Sequence, residues 1–352
     1  MKLPRRPVPT MEDVARVAGV TPMTVSRAFG QPDLVSAKTR QKIFDAADNL
    51  NFVLNRSAGA LRSKTAKMVG LLIPSLSDAT YHGIFTGLVE VMDRIGFQVL
   101  VAETCYSNER ELSTLRQMLG WHPAALVLTG THHTQATLDL LRLSNALVCC
   151  VMQVAHSKFF SSIGFSNFEA MGLLTQHLIE SGRRRIVFVR AAGAEYQRLS
   201  QRLAAIQQVV ESTPNATFRI LDLKRSAPLD IRDGAQAVEE ALALVPAADA
   251  LMFSNDLPAA GAVLHCRRLG IEVPGRLAIT GFGDLGIATM VDPSLTTVQI
   301  PMREMGVRAG EYLCAAIEAG RSTVKHQDLG FKIQLRGSTP SRSGKKHSHE
   351  DR

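Results

Sequence analysis

Residues 13–27 read Asp13-Val-Ala-Arg-Val-Ala-Gly-Val-Thr-Pro-Met-Thr-Val-Ser-Arg27, and this order of residue types predicts two short helices joined by a glycine turn. Thr10 is placed to cap the first helix, with Asp13 three positions on reaching back to the free N–H groups of the first turn, so the helix starts near Met11. Val14, Val17 and Ala18 share one face at helical spacing. Gly19 permits the reversal, and Thr21 followed by Pro22 is an N-cap with proline at the first helical position. In the second helix Val25 and Ala28 or Phe29 turn toward the first, which leaves Met23, Thr24, Ser26 and Arg27 outward. Polar and basic side chains of that kind contact phosphates and base edges. A third helix is expected from a Ser36 cap to about Leu50. The pattern is that of a helix-turn-helix.

Charge separates this reading from an ordinary three-helix surface bundle. Residues 1–67 hold 12 Lys or Arg against 5 Asp or Glu, so +7 of the chain's +8 lies on the fifth that carries the motif. The tail from Arg336 holds 5 basic and 2 acidic residues, and the region between is slightly acidic, with 23 basic and 25 acidic residues. Only the N-terminal module and the tail are built to meet phosphate.

The run from Asp13 to Arg27, followed by Val35-Ser-Ala-Lys-Thr-Arg40 and then Asn55-Arg56 with Ala58 and Leu61, resembles the lactose-repressor (LacI/GalR) family of bacterial transcription regulators. The likeness continues more loosely to about Gly337. It implies base reading by Pro22, Met23 and Arg27, and phosphate or sugar contacts from Thr21, Thr24, Ser26, Ser36, Thr39 and Asn55. It also implies that residues 55–63 form a hinge helix that folds only on DNA, pairs with its copy in a second chain, and levers Leu61 into the minor groove with Ala58 beside it. Such a wedge costs a few kcal/mol of unstacking, offset by the surface the bent duplex then reaches. Two positions depart from the family pattern. Leu54 stands where proline is usual, and Gly59 lies inside the hinge, where glycine costs roughly 0.5–1 kcal/mol relative to alanine.

From Met68 onward, short apolar runs bounded by turn residues alternate with longer amphipathic stretches, as parallel strands joined by helices do. Strands are expected at 68–73, 98–103, 125–129, 146–152, 186–190, 250–253 and 277–281. Seven strands over this length suggest two sheets, so the expected fold class is an N-terminal all-α helix-turn-helix plus an α/β core of two doubly wound lobes. The family resemblance implies the same periplasmic-binding-protein-like core, with crossovers near 164–167, 291–298 and 325–329. The expected domains are 1–54 (DNA-binding), 55–67 (hinge and linker), 68–336 (effector binding and dimerisation) and 337–352 (a disordered basic tail).

Doubly wound sheets bind ligands at the carboxyl ends of their strands, so two facing lobes make a cleft. The strand-end polar groups placed to line it are Ser75, Ser77, Thr129, Gln153, Asn255 and Asp284, and Arg198 and Arg202 lie four apart on the helix after the 186–190 strand. The resemblance puts the effector-anchoring arginine at Arg202, a strand-end polar residue at Asn255, and two ligand-binding acids at Gln153 and Gly283, where both acids are missing. Guanidinium groups holding a carboxylate through parallel hydrogen bonds, with acids removed opposite, favour an anionic ligand. Residues 20–27, 164–170 and 328–331 further resemble the gluconate-utilisation repressors of the family, which implies gluconate or a ketogluconate as effector; a neutral sugar or a purine is the competing class. Asn255 and Asp256 are equally suited to cap the next helix.

Other functions lack their residues. No GxSxG elbow, Walker loop or GxGxxG after the first strand is present. Cys149-Cys150 and His132-His133 are neighbours with the wrong spacing for zinc, so neither a metal, a cofactor nor an enzyme is expected. A solute-binding transport protein would share the two lobes but would need a secretory signal, and none is seen; nor does any apolar stretch approach membrane-span length. Five cysteines without a disulfide-like framework suit a reducing cytoplasm. Because one helix-turn-helix covers one half-site, a homodimer on a roughly palindromic double-stranded operator is expected, and the tail lacks the leucine heptads of tetrameric relatives.

Overall fold

The computed structural model describes residues 9–53, 66–144, 146–155, 157–192, 197–225, 227–321 and 323–340. The chain divides between Ala66 and Lys67 into two compact units. The first holds α1 (Met11–Ala18), α2 (Pro22–Gly30) and α3 (Ala37–Leu50), with a short 3-10 turn at Pro32–Leu34. All three α-helices start where a side chain accepts a backbone N–H: Thr10 from Asp13, Thr21 from Thr24 and Ser36 from Thr39. Asp13 completes a capping box by accepting from the Thr10 N–H at 2.9 Å, and that backbone hydrogen bond holds its carboxyl below the usual carboxylate range. Gly19, at φ +67, closes α1 in the left-handed region that favours glycine.

The core of this unit is small: Val14, Ala15, Val25, Ala28, Ile43, Ala46 and Ala47. Val17, expected inside, is 57% exposed, and Ala15 takes its place because α3 packs on the side of α1 that carries residues 14 and 15. Phe29 lies edge-on to Phe44 at 5.2 Å and tilted to Phe52 at 6.1 Å, covering the open end of that core.

The second unit contains two parallel sheets. The first lobe is built on β1 (Ala66–Ile73), β2 (Gln98–Glu103), β3 (Pro123–Thr129), β4 (Leu147–Val151), β5 (Ser161–Gly164) and β11 (His326–Asp328), in the order β11-β5-β4-β3-β1-β2. The second lobe is built on β6 (Arg185–Ala191), β7 (Thr217–Leu223), β8 (Ala250–Phe253) and β9 (Ala278–Thr280), in the order β7-β6-β8-β9. The helices between strands are α4 (Thr80–Arg94), α5 (Asn108–Leu119) and α6 (Gln135–Leu143) in the first lobe. They are followed by α7 (Asn167–Glu180), α8 (Gln197–Glu211), α9 (Asp233–Leu244), α10 (Asp256–Leu269), α11 (Ile287–Met290) and α12 (Met302–Ala319). In the first lobe the apolar runs show no in/out polarity because helices cover both faces. Val69, Leu71, Val127 and Cys149 belong to the core shared with α4 and α12, while Leu72, Leu126, Leu128 and Cys150 meet Leu115 and Met118 of α5 on the other face.

The expected strands are all present, and five more are additional: the seven-residue β7 and the short β5, β10 (Thr297–Gln299), β11 and β12 (Lys332–Gln334). β10 and β12 form an antiparallel two-stranded sheet of their own. The chain leaves the first sheet after Gly164, returns to it through β10 and α12, and leaves again between β11 and β12. Residues 337–340, assigned to the tail by the sequence, are described, and 341–352 lie outside the described residues. Ser338 and Thr339 are buried, Ser338 Oγ donating to the Ile279 carbonyl at 2.6 Å and Thr339 Oγ1 lying 2.9 Å from His177 Nε2.

α4 and α12 approach unusually closely. A Cβ on Gly87 would lie 2.2 Å from the Arg303 carbonyl oxygen, and one on Gly306 would lie 2.1 Å from that of Ile84. Only glycine fits at either position.

Candidate nucleic-acid interface and effector cleft

On α2, Thr21, Pro22, Met23 and Arg27 are exposed and Thr24 and Ser26 half-buried, so the outward side is the one the sequence assigns to DNA. Met23 is 53% exposed, a large apolar side chain left in water on a basic unit. The Thr21 and Thr24 hydroxyls lie 2.9 Å apart at the start of α2, and those of Ser36 and Thr39 are at the same distance at the start of α3. Each pair decorates a helix N-terminus, where backbone N–H groups and the helix dipole favour a phosphate. Asn55, Ala58 and Leu61 lie outside the described residues.

In the second unit a narrow cleft, partly open to solvent, lies at the carboxyl ends of the strands of both sheets. The first lobe supplies Asp78, Tyr81, Tyr106 and Met152; the second supplies Arg190, Arg198, Leu199, Arg202, Leu229, Ser254, Asn255 and Phe282. Arg202 is 4% exposed and held on three sides. Its Nε donates to Asn167 Oδ1 at 2.9 Å, its Nη1 donates to the Ser254 carbonyl at 3.1 Å, and its guanidinium carbon sits 3.5 Å from the centre of the Phe282 ring. Asn167 in turn donates to the Met152 carbonyl at 3.0 Å, so the first crossover ties the arginine to the first lobe. Arg198, 5% exposed, donates to the Tyr81 hydroxyl at 3.0 Å. Arg190 is paired with Asp222 at 2.5 Å, and Tyr106 donates to Asp78 at 3.0 Å.

Of the eight residues the sequence assigns to the effector, the structure brings Arg198, Arg202 and Asn255 to the cleft. Asn255 also caps α10, its Oδ1 accepting from the Leu257 N–H at 3.0 Å, so both uses meet in one side chain. The other five lie outside the lining, Ser77 with its hydroxyl 2.9 Å from that of Ser75. Thr129 donates to the Leu72 carbonyl at 2.9 Å, and Ser75 is bound to Glu103 at 3.0 Å. Gln153 is buried with its Oε1 unpartnered, and its backbone packs against Gly164, where a Cβ would lie 2.2 Å from the Gln153 nitrogen. Asp284 is held by Arg336 at 2.7 Å and by Gln299 at 2.9 Å, in the crossover rather than the cleft. Tyr81, Tyr106 and Phe282 were missed. Phe282 alone carried a local signal, as the aromatic of Gly281-Phe282-Gly283-Asp284.

The crossover also buries Asp256 completely. Its carboxylate accepts from the Thr297 hydroxyl at 2.5 Å and the Leu285 N–H at 2.6 Å. Burial, aided by the nearby Asp284 charge, pushes its pKa up to about 6 against the two hydrogen bonds. Among the described residues no group of three or more His, Cys, Asp or Glu is placed to hold a metal, and no helix is long and apolar enough to cross a membrane.

A capped helix-turn-helix followed in the chain by two α/β lobes with a polar cleft defines a DNA-binding regulator. The chain belongs to the lacI family of bacterial regulatory proteins, whose signature model matches residues 10–55, with a periplasmic binding protein-like domain matching 175–339. It is 32% identical to the HTH-type transcriptional regulator GntR of Escherichia coli (strain K12) over 94% of this chain and 98% of that one. It is similar to the crystal structure of a LacI family regulator from Silicibacter pomeroyi (TM-score 0.86, 27% identity, 94% of this chain and 99% of that one). A second match is the structure of transcription regulator GntR from Chromobacterium violaceum, with a TM-score of 0.72 and 34% identity over 77% of this chain and 99% of that one.

Proposed function

We propose that this regulator is a repressor that binds a roughly palindromic operator as a homodimer and is released from it by a small sugar acid, gluconate or a ketogluconate, seated in the cleft. The observation that carries the effector class is the pair of buried guanidinium groups, Arg198 and Arg202, lining one cleft on consecutive turns of α8. A carboxylate beside them gains charge-assisted hydrogen bonds that a neutral sugar does not. Likeness to regulators named GntR agrees with the gluconate-type motifs in the sequence. Two lobe arrangements in equilibrium, one favoured by effector and the other by operator, couple the sites reciprocally, typically by about 1–3 kcal/mol.

The test is the melting temperature of the purified protein with gluconate, 2-ketogluconate, 5-ketogluconate, glucose, galactose and guanine. A rise of several degrees with one sugar acid alone supports the reading; a rise only with a neutral sugar or guanine discards the sugar acid. Arg202→Ala is expected to weaken acid binding by about 2–5 kcal/mol, since truncating one partner of a buried charge pair costs that much. Leu61→Ala is expected to weaken operator binding in a gel-shift titration while leaving the acid's stabilisation intact.

A further inference from the structure

Arg198 belongs to the second lobe, yet its guanidinium is seated in the first. Its Nη2 donates to the Tyr81 hydroxyl at the start of α4, and both side chains are at most 5% exposed. The first lobe is shaped to receive it. Gly130, directly after β3, turns at φ +87, and a Cβ there would lie 2.8 Å from Arg198 Nη1. One residue before Arg198, Gln197 meets Thr131 at 3.4 Å, a second contact between the same two segments.

We propose that Arg198 is a positioning residue, a latch that holds the two lobes at closed spacing through Tyr81 before any effector arrives. A buried hydrogen bond to a charged donor is worth more than one between neutral groups, and here it spans the gap along which the lobes part. The latch also orders a cation at the cleft wall in advance, which lowers the ordering cost for an incoming anion. Only this last consequence rests on the sugar-acid reading; the latch itself does not.

The experiment measures lobe spacing without effector. Spin labels are placed at Ser113 on α5 and Gln208 on α8, both exposed, in the full chain with Cys105 and Cys314 replaced by serine, and distances are read by double electron–electron resonance. Tyr81→Phe, which keeps the ring and removes the acceptor oxygen, is expected to shift the distribution to longer distances. Arg198→Ala is expected to shift it at least as far, and Arg198→Lys to restore part of the short population by supplying a donor. Unchanged distances in Tyr81→Phe overturn the proposal, whether or not Arg198→Ala shifts them. Absence of any stabilisation by gluconate leaves the distances unaffected, so the latch and the sugar-acid reading fail separately.

Discussion

The DNA-reading unit and the two-lobed sensor solve opposite problems with opposite means. The small unit buries seven apolar residues, four of them alanine, and leans on side chains that cap all three α-helices within three residues of where they start. The sensor buries long apolar runs on both faces of its first sheet, but its site and crossovers are fixed by partners far apart in sequence: Arg198 with Tyr81, Arg202 with Asn167, Asp284 with Arg336. Order in the first unit is local and incremental. In the second it is collective, so a single misplaced contact has more to disturb.

The strongest way to break this contrast is Gly87→Val. Its side chain would collide with the α12 backbone, and overpacking of this kind costs about 3 kcal/mol or more. Calorimetry should show the sensor's transition lowered or lost while the transition of the small unit stays in place; a shift of both together would mean the units unfold as one.

Asp256→Asn sharpens the contrast through pH. The folded carboxyl titrates near 6, above its ordinary 3.8, so its burial is favourable below the ordinary value and the corresponding stability is lost as pH rises through 6. The melting temperature of the parent relative to the variant should therefore fall between pH 4 and about 6 and flatten above pH 7, an effect of about 2–3 kcal/mol at most. A flat difference across that range would mean the carboxyl ionises normally in the fold. The smallest effect is expected at a cap: Thr21→Ala should lower the stability of the first unit by about 1 kcal/mol, read in its own transition, with the sensor untouched.

The same contrast explains what was legible in the sequence. Helix starts at Met11, Pro22 and Ala37 could be read directly, because each cap lies within three residues of the backbone N–H that donates to it. β1, β2, β3 and β6 could be read from apolar runs, whereas β7, whose apolar positions are broken by Arg219 and Asp222, β5, with its paired serines, and the three-residue strands of the crossovers carry no apolar run long enough to show. At the site, Arg198 and Arg202 stood out as charges on a helix after a strand. Thr129 and Ser75 were plausible strand-end hydroxyls whose bonds to Leu72 and Glu103 only the fold reveals, and Asp284 was taken from the cleft by an arginine 52 positions away. Nothing in the sequence sets Tyr81 and Phe282 beside the arginine that each one meets in the fold and that makes it part of the site.

The glycine contacts between α4 and α12 carry a mechanical consequence. The two helices run side by side in the same direction, Gly83 against Met302, Gly87 against Arg303 and Gly310 against Val91, so that neither can slide without lifting the other's backbone. They therefore behave as one stiff beam, about 27 Å long for the 18 residues of α12 at roughly 1.5 Å each. One helix begins at Thr80, beside the cleft that Tyr81 lines, and the other just after β10 in the crossover. A small tilt imposed at that end arrives at the opposite end as a displacement rather than being absorbed by loose side chains in between.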